Sequence, residues 1–399
     1  MKKFISNQLG PNFTVKTAWR AFLNIRFLFS KPYSSSFLKD KEVKCDFPRN
    51  FQTKNYLLFN AARTALGEIA KIVKTKKKVG IPAVCCAVMA TPFLAEGLEI
   101  EWLDCDEKGL LDLENFAEKA DRIGIVLVPH TFGLQVDMQK ISKISREKNI
   151  FVIEDGAHSF APISKYADAK ILSFGREKDV SCVSGGALLW HDDSQYAENF
   201  AGISLPPASK IWTLKHLFQP LVLAISLRWW FYGGRFFAGI WSKLKLFPRA
   251  VTSSEKCGAE DFPRNFLPRA IQEVLKQSLS RRESDLAHRQ KIAEKWQSVL
   301  PKLFPKAQII VPENFFRVIL TNVDRAKIKK RAKSLGFDLN EWDGEPISPL
   351  GVNPAKFSYK TGDCPQAEKF MKNYITLPTN VRVSVKDVER FAKKFRGTF

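Results

Sequence analysis

Residues 151–190 read FVIEDGAHSFAPISKYADAKILSFGREKDVSCVSGGALLW. The stretch opens with a continuous apolar run at 151–153, which predicts a buried β-strand with Asp155 at its end. A second strand-like run, 169–174, stops shortly before Lys178. In open α/β sheets, ligands collect at the carboxyl ends of the strands. We therefore expect Asp155 and Lys178 to lie in one ligand site.

A carboxylate and a lysine in these positions suit the chemistry of pyridoxal 5'-phosphate (PLP). A lysine amine must form a Schiff base with the cofactor aldehyde. A carboxylate must keep the pyridine nitrogen protonated, so that the ring can accept electrons. Asp155 and Lys178 are the candidates. Taken alone, the two residues support a solvated aspartate and a surface lysine equally well.

The wider stretch resembles the DegT/DnrJ/EryC1/StrS family, the PLP-dependent sugar aminotransferases of fold type I. That family has a strand ending in I-E-D-x-A-[QH], then S-F-x-x-x-K and a tail similar to G-E-G-G-A-L. The chain has IEDGAH at 153–158, Ser173-Phe174 before Lys178, and GGAL at 185–188. The resemblance therefore implies a fold-type-I PLP enzyme.

The resemblance also implies roles for individual residues of these motifs. It places Asp155 on the pyridine nitrogen, His158 near the phenolic oxygen, Ser173 on the cofactor phosphate and Lys178 in the Schiff base. Val-Ser at 183–184 stands where the family usually has Gly-Glu. This departure concerns the loop and substrate contacts, for which Ser184 is a candidate, and not the lysine. The family includes dehydratases that lost the lysine, so its presence here favours transamination.

Two further segments match the family in the same order along the chain. Residues 59–66, FNAARTAL, are similar to its S-G-[RT]-x-A-L segment at a helix start. Backbone N–H groups at a helix N-terminus bind phosphate well. The match implies cofactor-phosphate contacts from Arg63 and Thr64. The family's ring-stacking position, which is often aromatic, falls at Cys86.

The segment 128–138, VPHTFGLQVDM, looks like the family's P-V-H-x-[YF]-G-x-x-x-D-M. It makes His130 a candidate substrate contact. Landmarks near 364–368 and 377–380 complete the order of matches towards the C-terminus.

The pattern of apolar runs predicts an α/β fold with a mostly parallel central sheet and a small C-terminal α+β domain. The family resemblance implies that this fold is fold-type-I PLP transferase-like. A helix is expected at 60–75. Strands are expected near 78–82, 99–103, 124–128, 150–154, 169–173 and 186–190. One long helix is predicted at 268–297. Beyond it, strands are predicted near 307–311 and 315–320, and helices at 324–335 and 386–395.

The length and composition of the chain indicate its domain organisation. With 399 residues, the chain suggests more than one domain. We expect a basic N-terminal arm (1–50), a large PLP-binding domain (51–250) and a small domain (251–399). Seven cysteines without a CxxC pair and five scattered histidines indicate reduced thiols, a cytoplasmic location and no metal site.

The net charge of +22 attracts polyanions. Nucleotide-linked substrates and anionic lipids fit this charge. No nucleic-acid-binding motif is present, so nucleic acid is not expected as a partner.

The segment 205–250 is the unusual part of the chain. Its portion 217–241 is rich in Leu, Phe and Trp, but Pro220, Arg228 and Arg235 interrupt every apolar run. Each uninterrupted apolar run is well short of the roughly 20 residues that a spanning helix needs. Trp and Tyr beside Arg are typical of helices at a membrane interface. A pair of helices in a domain or dimer interface is slightly favoured as the explanation, because aromatic residues and Arg are also enriched at protein interfaces.

The N-terminal segment is compatible with membrane contact, a dimer arm or a disordered tail. Polar residues and Pro11 interrupt its apolar stretch, so a secretory signal is not expected. Residues 17–29 are compatible with a short basic amphipathic helix.

The function expected from these residues and from the resemblance is a PLP-dependent aminotransferase. It would transfer an amino group from an amino acid such as glutamate to a keto-sugar, nucleotide-linked, in polysaccharide biosynthesis. The family resemblance implies a homodimer, and peripheral contact with the inner membrane face stays open. The alternatives are a PLP lyase, a transaminase for a non-sugar ketone, or a catalytically silent scaffold at the membrane surface.

Overall fold

The computed structural model describes residues 4–7, 9, 12–31, 55–243, 246–339, 342 and 344–395. Its strands are β1 (Ile5–Ser6), β2 (Asn55–Phe59), β3 (Lys78–Pro82), β4 (Ile100–Leu103), β5 (Ile123–Pro129), β6 (Phe151–Asp155), β7 (Ala169–Ser173), β8 (Gly186–Trp190), β9 (Gln308–Ile310), β10 (Arg317–Thr321), β11 (Phe337–Asp338) and β12 (Ile375–Pro378).

The helices of the described residues surround these strands. They are α1 (Val15–Phe22), α2 (Ala62–Ile72), α3 (Thr91–Ala95), α4 (Leu113–Lys119), α5 (Met138–Lys148), α6 (Ala197–Ala201), α7 (Lys210–Arg228), α8 (Gly234–Lys243), α9 (Arg269–Leu279), α10 (Arg282–Leu303), α11 (Arg325–Ser334), α12 (Pro365–Asn373) and α13 (Val385–Phe395).

A seven-stranded sheet in the order β2-β8-β7-β6-β5-β3-β4 forms the centre of the large domain. The strands β4, β3, β5, β6 and β7 run parallel, whereas β8 is antiparallel to both of its neighbours. All seven residues of β5 are buried, as expected for a strand covered on both faces. The parallel arrangement brings the carboxyl ends of β5, β6 and β7 to one edge, which is where the candidate site lies.

Local sequence signals explain where these elements begin and end. Helix α5 starts after Asp137, whose carboxylate accepts a hydrogen bond from the Lys140 N–H at 3.2 Å. It ends at Asn149, which adopts a left-handed conformation with φ of 54°. In α13 the buried residues Val388, Phe391 and Phe395 recur every three to four positions, so one stripe of the helix faces the core.

The small domain has its own core. Its three-stranded antiparallel sheet β12-β10-β9 packs with α10 and α13 around Trp296, Leu320 and Phe391. Helix α9 belongs instead to a cluster of the large domain that contains Leu58, Leu189 and the buried side of α7. The core of the small domain therefore starts in α10, whereas α12 packs into the core of the large domain through Ala367, Phe370 and Met371. The expected boundary at 251 stays a prediction.

The predicted α/β fold with a mostly parallel sheet is confirmed, and each strand expected between 78 and 190 is present. The single helix expected at 268–297 is wrong, because α9 ends at Leu279 and α10 begins at Arg282. The strands β2 and β12 were not predicted. Of the expected N-terminal arm, β1 pairs with β11 and α1 packs against α7, while residues 32–54 lie outside the described part.

Candidate active site

A cavity of about 200 Å³ opens at the carboxyl ends of β5, β6 and β7. The predicted site residues that line it are Arg63, Cys86, His130, Asp155, His158, Ser173, Lys178 and Ser184. The remaining one, Thr64, is fully buried and does not line the cavity. Residues separated by more than a hundred positions thus meet because parallel strands end at the same edge of the sheet.

Asp155 is a buried carboxylate, and only one of its two oxygens accepts a hydrogen bond from the described residues. It is 4% exposed, and its Oδ1 accepts a hydrogen bond from the Ala157 N–H at 2.8 Å. Its Oδ2 has no hydrogen-bond partner among the described residues. Burial raises the pKa of Asp155 above its ordinary value, because the charged form loses hydration. A cationic ring nitrogen in the cavity would supply the missing partner, so the position fits a pyridinium.

His158 and Lys178 are in direct contact, with Nε2 and Nζ 3.1 Å apart. The Phe132 N–H donates to His158 Nδ1 at 3.1 Å. Burial and the charges of Lys178 and Arg317 hold the pKa of His158 well below its ordinary value. The neutral ring therefore carries its proton on Nε2. The Nε2 side of the ring therefore faces Lys178 Nζ.

Backbone strain accompanies this contact. Phe132 has a φ of 56°, a left-handed conformation that is unfavourable for a bulky residue. Its ring also lies nearly parallel to the His158 ring, at 6.1 Å between centroids. The unfavourable backbone angle aims the Phe132 N–H at His158 and so fixes the tautomer that faces Lys178.

A buried ionic network lies behind Asp155. Glu154 Oε1 is 2.8 Å from His130 Nε2 and 2.7 Å from Lys170 Nζ, and its Oε2 accepts from the Ser164 N–H. Burial alone would raise the pKa of Glu154. The hydrogen bond from His130 and the charge of Lys170 outweigh burial and lower that pKa to about 2.

The same network changes the interpretation of His130. The Val136 N–H donates to its Nδ1 at 3.2 Å, so both ring nitrogens are engaged within the protein. His130 lines the cavity but holds Glu154 with its one N–H. The predicted substrate contact is therefore better described as a support for the end of β6.

We expect Lys170→Met to destabilise the protein by about 3–5 kcal/mol at neutral pH, because it leaves a buried carboxylate without its cation. Urea unfolding monitored by tryptophan fluorescence measures the change. Lys143→Met, at an exposed position on α5, is the matched control and should shift stability by no more than about 0.5 kcal/mol. A loss below about 1 kcal/mol for Lys170→Met would contradict this account.

The buried network around Glu154 also predicts that the free energy of unfolding depends on pH in the acid range. Because the folded-state pKa of Glu154 is lowered to about 2, its contribution is fully present above its ordinary pKa near 4.5. That contribution is lost as the pH falls towards 2. In the Glu154→Gln variant, unfolding free energy should vary less steeply over this interval than in the wild type. If the unfolding free energies of the two proteins vary equally steeply with pH, this account of Glu154 is contradicted.

The opposite end of the cavity offers an anion site. Ala61 precedes α2 without capping it through a side chain, and Ala61, Ala62 and Arg63 line the cavity. Free N–H groups at a helix start favour phosphate. A Cβ on Gly186 would lie 2.3 Å from Ala62 N, so only glycine lets β8 approach this helix end. The backbone therefore fits the cofactor phosphate.

The two side chains that were predicted to bind that phosphate interact with other residues of the protein. Thr64 donates its hydroxyl to Asn60 Oδ1 at 2.7 Å, and its role as a cofactor contact stays a prediction. Arg63 forms an ion pair with Glu255 and donates to the Ala250 carbonyl at 2.7 Å. Its guanidinium also lies over the Phe262 ring. Arg63 thus ties the segment after α8 to the cavity wall and contributes positive charge beside the helix end.

The ring-stacking position holds the partly buried thiol of Cys86. Burial raises the pKa of Cys86, so the side chain is a neutral thiol at physiological pH. Ser184 donates to the Asn60 carbonyl at 2.8 Å and keeps its acceptor lone pairs. Ser173, at the end of β7, is half-buried beside the cavity.

Several cavity residues were not predicted from the sequence. His216 and Gln219 come from α7, and Arg249 and Phe262 come from the chain that follows α8. His216 donates from Nδ1 to the Trp212 carbonyl at 2.8 Å. Burial, with help from nearby arginines, lowers the pKa of His216 to about 4. Tertiary packing alone places these four residues beside the cavity, and no sequence motif around them predicts a role.

The loop that carries Lys178 is anchored from both domains. Asp179 forms a buried ion pair with Arg289 of α10 and accepts from the Phe160 N–H at 2.9 Å. The Asn12 side chain donates to the Lys178 carbonyl at 3.2 Å. The small domain and the N-terminal segment therefore fix the backbone of the reactive lysine.

The fold is similar to that of fold-type-I PLP-dependent enzymes. Two solved structures share the architecture. Helicobacter pylori PseC, an aminotransferase involved in the biosynthesis of pseudoaminic acid, has 15% identity and a TM-score of 0.68, with 100% of this chain and 99% of that chain covered. Streptococcus pneumoniae Spr1654, solved in a PLP form, has 16% identity and a TM-score of 0.69, with 97% and 96% covered.

The model of the DegT/DnrJ/EryC1/StrS aminotransferase family matches residues 61–205 of the chain. A relative with a curated function is the UDP-4-amino-4,6-dideoxy-N-acetyl-beta-L-altrosamine transaminase of Campylobacter jejuni, 29% identical over 138 residues. That match covers 32% of this chain and 35% of the relative. In a second strain, the match covers 42% of the same enzyme.

Proposed function

We propose that the protein is a PLP-dependent aminotransferase that moves an amino group from an amino acid, such as glutamate, to a nucleotide-linked keto-sugar. The nucleotide-sugar substrate of the Campylobacter jejuni relative supports the substrate class. The basic character of the chain suits the diphosphate of such a substrate.

One observation carries the proposal: Asp155 and Lys178 reach the same cavity, which ends at the uncapped start of α2. The three features match a ring nitrogen, an aldehyde and a phosphate. A surface aspartate and a surface lysine would not share a cavity. The presence of Lys178 also favours transamination over the dehydratases of the family.

The residues divide the work between them. The bound cofactor would serve as an electron sink and a carrier of the amino group. Asp155 Oδ2 would hold the ring-nitrogen proton, while His158 Nε2–H orients Lys178. Lys178 Nζ is the base that would remove the proton from Cα of the amino donor. Ser173 and the N–H groups of α2 would bind the phosphate, and Ser184 would contact the substrate.

The test is a half-reaction. Purified protein with PLP is mixed with single amino acids, and loss of the visible band of the bound cofactor reports donor conversion. Keto-sugar nucleotides are then added, and the amino-sugar product is identified by mass spectrometry. A cofactor band that no donor changes would exclude transamination, and a protein that never acquires the band would support a silent scaffold. Release of ammonia would favour a lyase.

A homodimer in the cytoplasm, at the inner face of the membrane, forms part of the proposal. The family resemblance supports the dimer, because its active sites form between two subunits. The six cysteines in the described part form no disulfide, which suits a reducing compartment. Light scattering of the purified protein measures the oligomeric state, and a monomer at all concentrations would contradict the dimer.

A further inference from the structure

Two segments that are distant in the chain share an unusual composition. Residues 1–39 and 199–254 contain fourteen lysines and arginines and no aspartate or glutamate. About a quarter of the chain therefore carries fourteen of its 22 net positive charges. In their described parts, every lysine and arginine is exposed.

The same two segments carry the exposed apolar side chains. Fourteen large hydrophobic residues are exposed in the described part of the chain, and thirteen of them lie on these segments; the other is Leu350. Phe29 is 78% exposed, Phe236 76% and Trp19 51%. Scattered apolar residues are normal on a protein surface, but their concentration in one region marks an interaction site.

The structure joins the two segments into one surface. Helix α1 packs against α7, and Phe22 contacts Phe218 with 5.8 Å between ring centroids. Phe4 stacks on Trp230 at 4.3 Å. Lys210 lies 4.3 Å over the Phe29 ring. We call the surface formed by residues 15–31 and 210–243 the basic-aromatic face.

We infer that the basic-aromatic face docks on an anionic lipid bilayer, with its aromatic side chains in the headgroup region and its basic side chains on lipid phosphates. Amphipathic helices rich in Trp, Phe, Lys and Arg bind in this way. None of the helices among the described residues has the length and apolar character to cross a bilayer. The inference rests on the location proposed above and is independent of the proposed chemistry.

The positive charge of the basic-aromatic face favours an anionic membrane, rather than a second copy of the chain, as its partner. A twofold dimer interface places the same surface on both partners. Two faces with nine basic and no acidic residues each would repel each other. An anionic bilayer instead offers negative charge together with an apolar layer, and so complements both properties of the face.

Sedimentation with lipid vesicles tests the inference. The full-length protein should bind vesicles that contain phosphatidylglycerol at low salt, and bind pure phosphatidylcholine vesicles poorly. Binding should fall several-fold in 1 M NaCl, where the screening length shrinks from about 10 Å at 0.1 M to about 3 Å. Absence of binding to phosphatidylglycerol vesicles at low salt would overturn the inference.

Matched variants separate the face from the overall charge. Four exposed lysines of the face are changed together to glutamine: Lys16, Lys31, Lys210 and Lys215. The control changes four exposed lysines elsewhere: Lys302, Lys306, Lys330 and Lys333. We expect the first variant to lower vesicle binding about tenfold or more and the control by less than about twofold. Equal losses in both variants would refute a specific face.

A second pair of variants tests the apolar component. Trp19→Ser combined with Phe236→Ser should remove binding that survives high salt, whereas Leu350→Ser should leave it unchanged. Light scattering without lipid completes the test. If the Trp19 and Phe236 variant dissociates a dimer, the face is a subunit contact and the inference is wrong. Transamination by the same preparations shows separately whether the proposed chemistry holds.

Discussion

Lys178→Ala is expected to abolish transamination, with turnover reduced at least about a thousand-fold. A positioned base alone contributes 10² to 10⁴-fold, and the variant also loses the covalent bond to the cofactor. Borohydride reduction of the wild type followed by peptide mapping should place a pyridoxyl group on Lys178. The alanine variant should bind PLP without forming this reducible linkage.

Lys170 is the lysine that could mislead this experiment, because it too lies close to Asp155 in sequence and space. It is fully buried and donates to Glu154 and to the Pro162 carbonyl. We therefore expect no label on Lys170. Lys140→Ala, at an exposed position on α5, is the control and should retain full turnover. A label on Lys170, or near-normal turnover in Lys178→Ala, would remove the basis of the proposed function.

Asp155→Asn is expected to lower turnover by about two to four orders of magnitude, because the ring nitrogen loses the carboxylate that keeps it protonated. The amide keeps the shape of the side chain and can still accept from the Ala157 N–H. The fold should therefore survive. Near-normal rates in this variant would show that another acid holds the ring proton.

The stability of the same variant provides a second readout. Burial raises the pKa of Asp155 in the cofactor-free protein. A raised folded-state pKa contributes stability that is complete below the ordinary pKa and is lost as the pH rises through the folded value. Without cofactor, Asp155→Asn should thus melt no lower than the wild type at pH 7. With PLP, only the wild type should gain the full increase in melting temperature. A lower melting temperature of cofactor-free Asp155→Asn at pH 7 would contradict the account of the unpaired carboxylate.

The sequence was sufficient for the parts of the site that depend on local order. Asp155, Ser173 and Lys178 follow strands that read as apolar runs, and the ends of parallel strands always meet. The structure accordingly places all three beside one cavity. His158 follows Asp155 by three residues, so its proximity was also fixed locally.

The sequence was insufficient where side chains compete for partners. A motif places Arg63 and Thr64 near the start of α2, but it cannot reveal that Glu255 and Asn60 take their polar atoms. Nor can a motif reveal that Glu154 and the Val136 N–H engage both ring nitrogens of His130, whose role as a substrate contact stays a prediction. Such pairings join positions that only the folded chain brings together.

The break between α9 and α10 shows a different limit. The apolar spacing continues through 268–297, and neither glycine nor proline lies at 280–281. The helix ends because α9 packs with the large domain, whereas α10 crosses into the core of the small domain. Tertiary packing here overrides local propensity.

Helix α7 contributes residues both to the cavity and to the basic-aromatic face. Its residues His216 and Gln219 line the cavity, while Ile211, Leu214 and Ile225 project outward. A typical surface helix can exchange its outer residues freely during evolution, because only its inner stripe is constrained. If both sides of α7 are used, few of its positions can drift. Among close relatives that keep this segment, α7 should therefore change more slowly than a solvated helix such as α11.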